Sequence, residues 1–283
     1  MSATEVTMSE ATMGPGGYRI LELLSEAGGV NNCGIYLAAA PSTDDLVICK
    51  QRDDGDVWVE AHVARQLTGF AHLVSLLDYF PASKTNKNHS LYFGYCDQGT
   101  LEDLRLRHYL FQTKIPESFI WHVLLSMAKA LEACHTGLGK PDWEPIAHRD
   151  VHRGNILLSA PKDPAEQYPE VYLADFGRAE MGVARNQEAM QSDIAHLAFT
   201  VFDLCSADEE HGPEIVNDLK SRVENGLFGY SEELRVVLSI LMDYQEAEDE
   251  DIARRPIEEL VPWIEELRGR AEMQEYEGEL ILE

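Results

Sequence analysis

The sequence predicts an α+β fold in two lobes, a small antiparallel-sheet lobe over residues 18–97 and a larger helical lobe over residues 98–275. Two observations predict it. Short β-type runs bounded by Gly, Pro, Asn and Asp fill the first 96 residues, with room for one helix among them. Beyond Gly99 the apolar residues switch to helical spacing and hold it over most of the remaining length. At 283 residues the chain can bury a large core, as one large domain or two small ones. No internal repeat is present. Residues 1–17 are Ser, Thr, Glu, Met and Gly without a period and read as disordered, and residues 276–283 read as an acidic tail.

Each element has a local reason. Tyr18–Leu24 alternates as a strand, and a Gly-rich turn, Ala27–Gly34, joins it to Ile35–Ala38 as a hairpin. Leu46–Lys50 is a third strand after the turn at Pro41–Asp45. Val57–Leu67 has helical character, and Leu73–Phe80 and Ser90–Cys96 are two further strands around a polar loop. Leu101–Phe111 reads as a helix. Glu117–His135 is a stronger one, with Ile120, Val123, Leu124, Met127, Ala128 and Leu131 on one face and Pro116 at its start. Short strands follow at Ile156–Ser159 and Val171–Ala174, then helices at Asp193–Cys205, 213–225, 231–244 and 256–275.

Charge narrows the partners. Fifty acidic side chains against 23 Lys and Arg give a net charge of −27. A field of that sign repels nucleic acid and anionic lipid, which excludes both as main partners. An acidic surface that serves solubility accounts for the excess, with a preference for basic substrates as the sharper alternative. The five cysteines, at 33, 49, 96, 134 and 205, form no CxxC and suit free thiols in a reducing compartment. The first 17 residues lack the basic-then-apolar pattern of a signal peptide, and no apolar run reaches membrane-spanning length, so the expected location is cytoplasmic or nuclear.

The chemistry is concentrated in His148-Arg149-Asp150-Val151-His152-Arg153-Gly154-Asn155-Ile156-Leu157-Leu158, with Asp175-Phe176-Gly177 starting 20 residues after the Asn. One carboxylate to orient an acceptor hydroxyl, then an amide and a second carboxylate to hold metal on phosphates, is the set that phosphoryl transfer from Mg-ATP needs. The segment resembles the catalytic and metal loops of the eukaryotic-like protein kinase superfamily, and the resemblance spans roughly residues 18–270. It implies a two-lobed kinase-like fold, ATP and Mg2+ as cofactors, and a protein substrate of unknown identity. Asp150 is then the catalytic carboxylate, Asn155 and Asp175 are the metal ligands, and His148 is scaffold. His152 stands where the family usually has a lysine that neutralises the γ-phosphate, and its charge is not assured at neutral pH.

The resemblance assigns the nucleotide side as well. Lys50 would meet the α- and β-phosphates, with Glu60 as its helical partner, although only ten residues separate them, fewer than is usual. Gly28, Gly29 and Gly34 would cradle phosphate, but not in GxGxxG register, so a plain hairpin is equally open. Leu91–Asp97 resembles the hinge, where adenine would take backbone hydrogen bonds near Gly94 and Cys96 with Phe93 behind it.

The segment after Gly177 departs from the pattern. Only 18 residues separate Asp175 from Asp193, which resembles the Asp that braces the catalytic loop; no Ala-Pro-Glu motif intervenes, and Arg178–Gln191 holds no Ser, Thr or Tyr. Regulation by phosphorylation of that stretch is therefore excluded, and Arg149 must pair elsewhere, with Glu180 and Glu188 as candidates. The expected function is a divergent protein serine/threonine kinase. The alternatives are a pseudokinase acting as a binding module, suggested by the degenerate glycine turn, and a small-molecule phosphotransferase of the aminoglycoside or choline kinase kind, suggested by His152 and Gly154.

Overall fold

The computed structural model describes residues 12–25, 32–53, 57–84, 86–182, 187–208, 223, 229–245, 256–271 and 279–282. Its contacts divide the chain into two units, one of Met1–Arg65 with Ser75–Tyr95 and one of Gln66–Val74 with Cys96–Glu283.

The first unit is a five-stranded antiparallel sheet, β1 (Arg19–Ser25), β2 (Asn32–Ala39), β3 (Leu46–Arg52), β4 (Leu76–Phe80) and β5 (His89–Gly94), with helix α1 (Val57–Leu67). The strand order is β1-β2-β3-β5-β4. Period-two alternation sorts β3 onto two faces. Val47 and Cys49 join Tyr18, Ala38 and Tyr92 in one buried cluster. Lys50 pairs across the sheet with Leu91, which is buried with Val57, Ala61 and Ala64 of α1. A basic side chain on the helix-covered face is thereby forced to find an acidic partner. On the other face Tyr18 stacks on Tyr92 at 3.7 Å between ring centroids and donates to Asp78 Oδ2 at 2.7 Å.

The sheet differs from the sequence expectation at its ends. The fourth strand begins at Leu76, not Leu73. Leu73 instead bridges in parallel to Leu173, and the Val74 amide donates to the Leu173 carbonyl at 3.1 Å. The fifth strand runs from His89 and stops at Gly94, opposite Val47 near the start of β3, short of the expected Cys96. The second begins at Asn32, so Gly34 lies inside a strand and not in the turn. Residues expected to be disordered at the start include a described stretch in which Met13 bridges to Arg19 and Pro15–Gly17 make one tight turn.

The second unit holds α2 (Leu101–Phe111), α3 (Glu117–Thr136), the short strands β6 (Ile146–Ala147), β7 (Ile156–Ser159), β8 (Glu170–Leu173) and β9 (Glu180–Met181), then α4 (Gln187–Cys205), α5 (Glu232–Met242) and α6 (Ile257–Arg270). Thr100 and Asp103 form a capping box that starts α2. The predicted apolar face of α3 is buried, but so are Phe119, Trp121, Leu125, Ala130 and Ala133 on its other sides. It packs against α4, α6 and β8, as a helix apolar all round must. Its Glu117 carboxylate is buried and accepts from Trp121 Nε1 and the Ser231 amide, both at 3.0 Å, and from the Ser231 hydroxyl at the N-cap of α5. Helix α4 starts at Gln187, six residues before the expected Asp193. The helix expected at 213–225 lies outside the described residues, apart from Val223. Among the described residues no helix is long and apolar enough to cross a membrane.

Candidate functional site

In the second unit the segment His148–Asn155 is held from beneath by one buried carboxylate. Asp193, 0% exposed on α4, accepts the His148 amide on Oδ2 and the Arg149 amide on Oδ1, each at 2.7 Å. His135 Nε2 of α3 lies 3.2 Å from Oδ2. Two adjacent amides can point at one carboxylate only if the chain turns sharply, and Arg149 accordingly has φ +65°. The His148 ring is the second support. Its Nδ1 accepts the Asp150 amide at 3.2 Å, so Nε2 carries the proton and donates to the Ala174 carbonyl at 3.0 Å. Burial holds its pKa below the usual imidazole value and so favours the neutral ring. Phe176 packs edge-on against that ring with centroids 4.8 Å apart. His148 is therefore scaffold in this structure.

These supports present Asp150. The Asn155 amide nitrogen donates to the Asp150 carbonyl at 2.9 Å and lies 3.3 Å from its Oδ2. That pairing occupies the Asn155 Nδ2 and leaves its Oδ1 as an acceptor. The hairpin β7–β8 then sets Asn155 beside the segment carrying Asp175, because Ile156 pairs with Leu173 and the Ala174 amide donates to the Asn155 carbonyl at 2.9 Å. Asp175 is exposed, with φ +64°, and its Oδ1 accepts the Gly177 amide at 3.1 Å. The donor set fits a hard divalent cation: a carboxamide oxygen and a carboxylate on adjoining ends of one hairpin, able to share the ion with outside phosphate oxygens. Asn155 and Asp175 could hold such an ion.

His152 Nδ1 accepts the Gly154 amide at 3.0 Å, and its Nε2 lies 3.9 Å from Asp150 Oδ2. The other basic residues here are committed elsewhere. Arg149 pairs with Glu180, one of the two expected candidates, and Arg153 pairs with both Glu102 of α2 and Asp203 of α4. Arg178, to which sequence reasoning assigned no role, lies 3.4 Å from Asp150 Oδ1.

In the first unit Lys50 Nζ meets Glu60 Oε1 at 2.8 Å, with the Glu60 side chain 2% exposed. The ten-residue spacing is sufficient because α1 begins only five residues after β3 ends. Sequence reasoning missed a second cation on the same carboxylate, Arg52 to Glu60 Oε2 at 2.7 Å. Its signal was available, since residues two apart on a strand share a face.

The remaining predicted residues are placed less uniformly. Gly28 and Gly29 lie outside the described residues. Gly34 has φ +131°, and a Cβ there would stand 2.8 Å from the Tyr36 ring, so local packing alone demands glycine at that position. The Gly94 amide already donates to the Ser75 carbonyl at 3.2 Å, so a ligand contact at Gly94 would use its carbonyl. The Cys96 thiol is pushed up to about 11 by burial, reinforced by the Asp97 carboxylate.

A loop that presents one carboxylate, an amide beside it and an Asp-Phe-Gly turn across a hairpin is the arrangement expected of a phosphotransferase. Comparison with known proteins agrees. Residues 44–215, more than half of the chain, match the protein kinase domain family. The G2-specific protein kinase nimA of Emericella nidulans is 21% identical, over 78% of this chain and 38% of that protein. The chain thus covers under two-fifths of that relative's length. With both the motif geometry and the match extending from the third strand into the helical unit, this chain belongs to the protein kinase domain family.

Proposed function

We propose that the chain is a protein serine/threonine kinase that transfers the γ-phosphoryl group of ATP to a hydroxyl of a protein substrate. The observation that carries this reading is the Asp193-braced loop, which holds Asp150 outward with the Asn155 amide against it. In the reaction the substrate oxygen forms a bond to the γ-phosphorus and the bond from that phosphorus to the ADP oxygen breaks. The hydroxyl proton passes to Asp150. Asp150 orients the hydroxyl before attack, Asn155 Oδ1 and Asp175 hold Mg2+, and the Lys50–Glu60 pair positions the α- and β-phosphates. The bound Mg2+ neutralises phosphate charge.

His152 borders Asp150 and shapes the acceptor side. Gly94 and Cys96 supply the adenine contacts, and Gly28 and Gly29 supply phosphate-covering backbone, with Gly34 following inside β2. Residues 18–97 form the nucleotide lobe and 98–275 the catalytic lobe. The segment after Gly177 works without phosphorylation, because Arg178–Gln191 carries no hydroxyl and Arg149 is neutralised by Glu180 instead. The composition suits a cytoplasmic or nuclear enzyme acting on protein, not on nucleic acid or membrane.

The test combines binding and transfer. Mg-dependent thermal stabilisation by ATP is measured first, then label transfer from γ-32P-ATP to a protein mixture and to small alcohols and amines. Asp175→Ala should lose the Mg-dependent shift, whereas Asp150→Ala should keep it and lose transfer. No ATP binding by the unaltered chain overturns the enzyme reading in favour of a binding module. Transfer to small alcohols or amines alone overturns the protein-substrate reading.

A further inference from the structure

Both oxygens of the Asp150 carboxylate are engaged in this structure. Oδ2 faces the Asn155 amide at 3.3 Å and Oδ1 faces the Arg178 guanidinium at 3.4 Å. Each oxygen keeps a second lone pair, but an acceptor hydroxyl gains the whole of one oxygen only if its present partner leaves. Asn155 is anchored by a second hydrogen bond, to the Asp150 carbonyl at 2.9 Å. Arg178 has no such anchor among the described residues. Its side chain is 73% exposed and Asp150 is its described partner. A solvent-screened pair of that kind holds its partners weakly, so Arg178 is the group that moves.

The destination follows from charge. A transferring phosphoryl group gathers negative charge on its equatorial oxygens and is stabilised by cations that reach it. Around Asp150 the two other arginines are occupied, and the accepting Nδ1 of His152 carries no proton. Arg149 is paired with Glu180, and Arg153 is held by both Glu102 and Asp203. The His152 ring binds the Gly154 amide through Nδ1. Arg178 is the described cation that lies at the catalytic carboxylate and is exposed enough to reach an incoming phosphate.

We propose that Arg178 is the mobile phosphate-binding cation of this enzyme. Its resting partner is Asp150, and it transfers to the γ-phosphoryl group when ATP is bound, which frees Oδ1 for the acceptor hydroxyl. This rests on the kinase reading above. The phosphorus–oxygen bonds made and broken are the same, and the hydroxyl proton still passes to Asp150. Arg178 adds charge stabilisation without exchanging a proton.

The experiment uses the full chain, Arg178→Ala and Arg178→Lys, with Asp150→Ala as the baseline. Two quantities are read. One is the gain in affinity of Mg-ADP on adding aluminium fluoride, a mimic of the transferring phosphoryl group, by calorimetry. The other is kcat and KM for ATP in label transfer to a protein mixture. Arg178→Ala should lose about 10²-fold in kcat, with KM for ATP and the affinity for ADP alone nearly unchanged, and should lose most of the fluoride-dependent gain. Arg178→Lys should recover part of both. A rise in kcat on Arg178→Ala would make the residue only a lock on Asp150 and overturn the proposal. So would unchanged fluoride-dependent affinity. Should the unaltered chain transfer no more label than Asp150→Ala, the kinase reading itself falls and the proposal with it.

Discussion

Replacing Asp193 by alanine should destabilise the second unit and release the loop that carries Asp150. The magnitude can be built from the contacts. The His148 amide is buried and would lose its acceptor outright, which costs about 1–3 kcal/mol. The Arg149 amide is partly buried and can regain some hydration, so its loss contributes about 1 kcal/mol. His135 would lose its partner at 3.2 Å as well. The left-handed backbone of Arg149 would remain, about 1 kcal/mol or more above an ordinary conformation, with less to hold it. Together these give about 2–5 kcal/mol, a large share of the 5–15 kcal/mol that typically separates folded from unfolded chains. Asp193→Asn keeps the shape and one carbonyl oxygen, so one amide stays satisfied and the loss should be about half. Thermal unfolding followed by circular dichroism reads both variants. At about 2–4 °C per kcal/mol for a unit of this size, Asp193→Ala should melt about 4–20 °C lower, with Asp193→Asn between it and the unaltered chain. A shift under about 2 °C for Asp193→Ala, or no difference between the two variants, would refute the claim that this carboxylate holds the loop.

Two further outcomes can be measured on the same material. Gly137 has φ +62°, and a Cβ there would stand 2.2 Å from the Trp143 ring, so Gly137→Ala combines backbone strain with a steric clash against a ring packed on the end of α3. It should lose about 2 kcal/mol or more in urea unfolding, and a midpoint equal to that of the unaltered chain would show that the loop relaxes freely. Stability should also fall as the pH drops below about 6.5, the usual value for imidazole. Burial lowers the pKa of His72, His108, His122 and His148. Above pH 6.5 these rings are neutral whether folded or unfolded and add no pH dependence. Below it the unfolded chain takes up protons that the folded chain refuses, at up to about 1.4 kcal/mol per pH unit for each ring. The melting temperature at pH 5.5 should therefore lie clearly below that at pH 7.5, and a flat profile would contradict the neutral, buried assignment of these rings.

Much of the fold is written locally. The helices at Val57–Leu67 and Leu101–Phe111 start and stop where their apolar period and flanking residues require. The long helix from Glu117 was expected from one apolar face, yet its burial on every side depends on α4, α6 and β8 arriving from far along the chain. The strand ends differ from the local pattern for the same reason. Leu73 has the composition of a strand residue in the sheet of the first unit but pairs with Leu173, one hundred positions away, and no local pattern records that choice. The candidate site divides similarly. Asp150, Asn155 and Asp175 follow from motif spacing. Arg52 beside Glu60 follows from strand alternation, once the helix is known to cover that face. Arg178 against Asp150, and Arg153 shared between Glu102 and Asp203, join side chains 28 to 51 residues apart and are visible only in three dimensions.

By itself the sequence determined the family, the fold class and the candidate groups for phosphoryl transfer, because short-range periodicity and a fixed run of functional side chains are local properties of the chain. The tertiary structure decided how those groups are held and which of them are at liberty. It assigned Glu180 to Arg149, both Lys50 and Arg52 to Glu60, and Arg178 to Asp150. The physical reason is that a charge takes its partner according to burial and distance. Both arise only when segments remote in sequence pack together, and the eleven residues from His148 to Leu158 acquire their working geometry from a carboxylate 43 positions beyond Asp150.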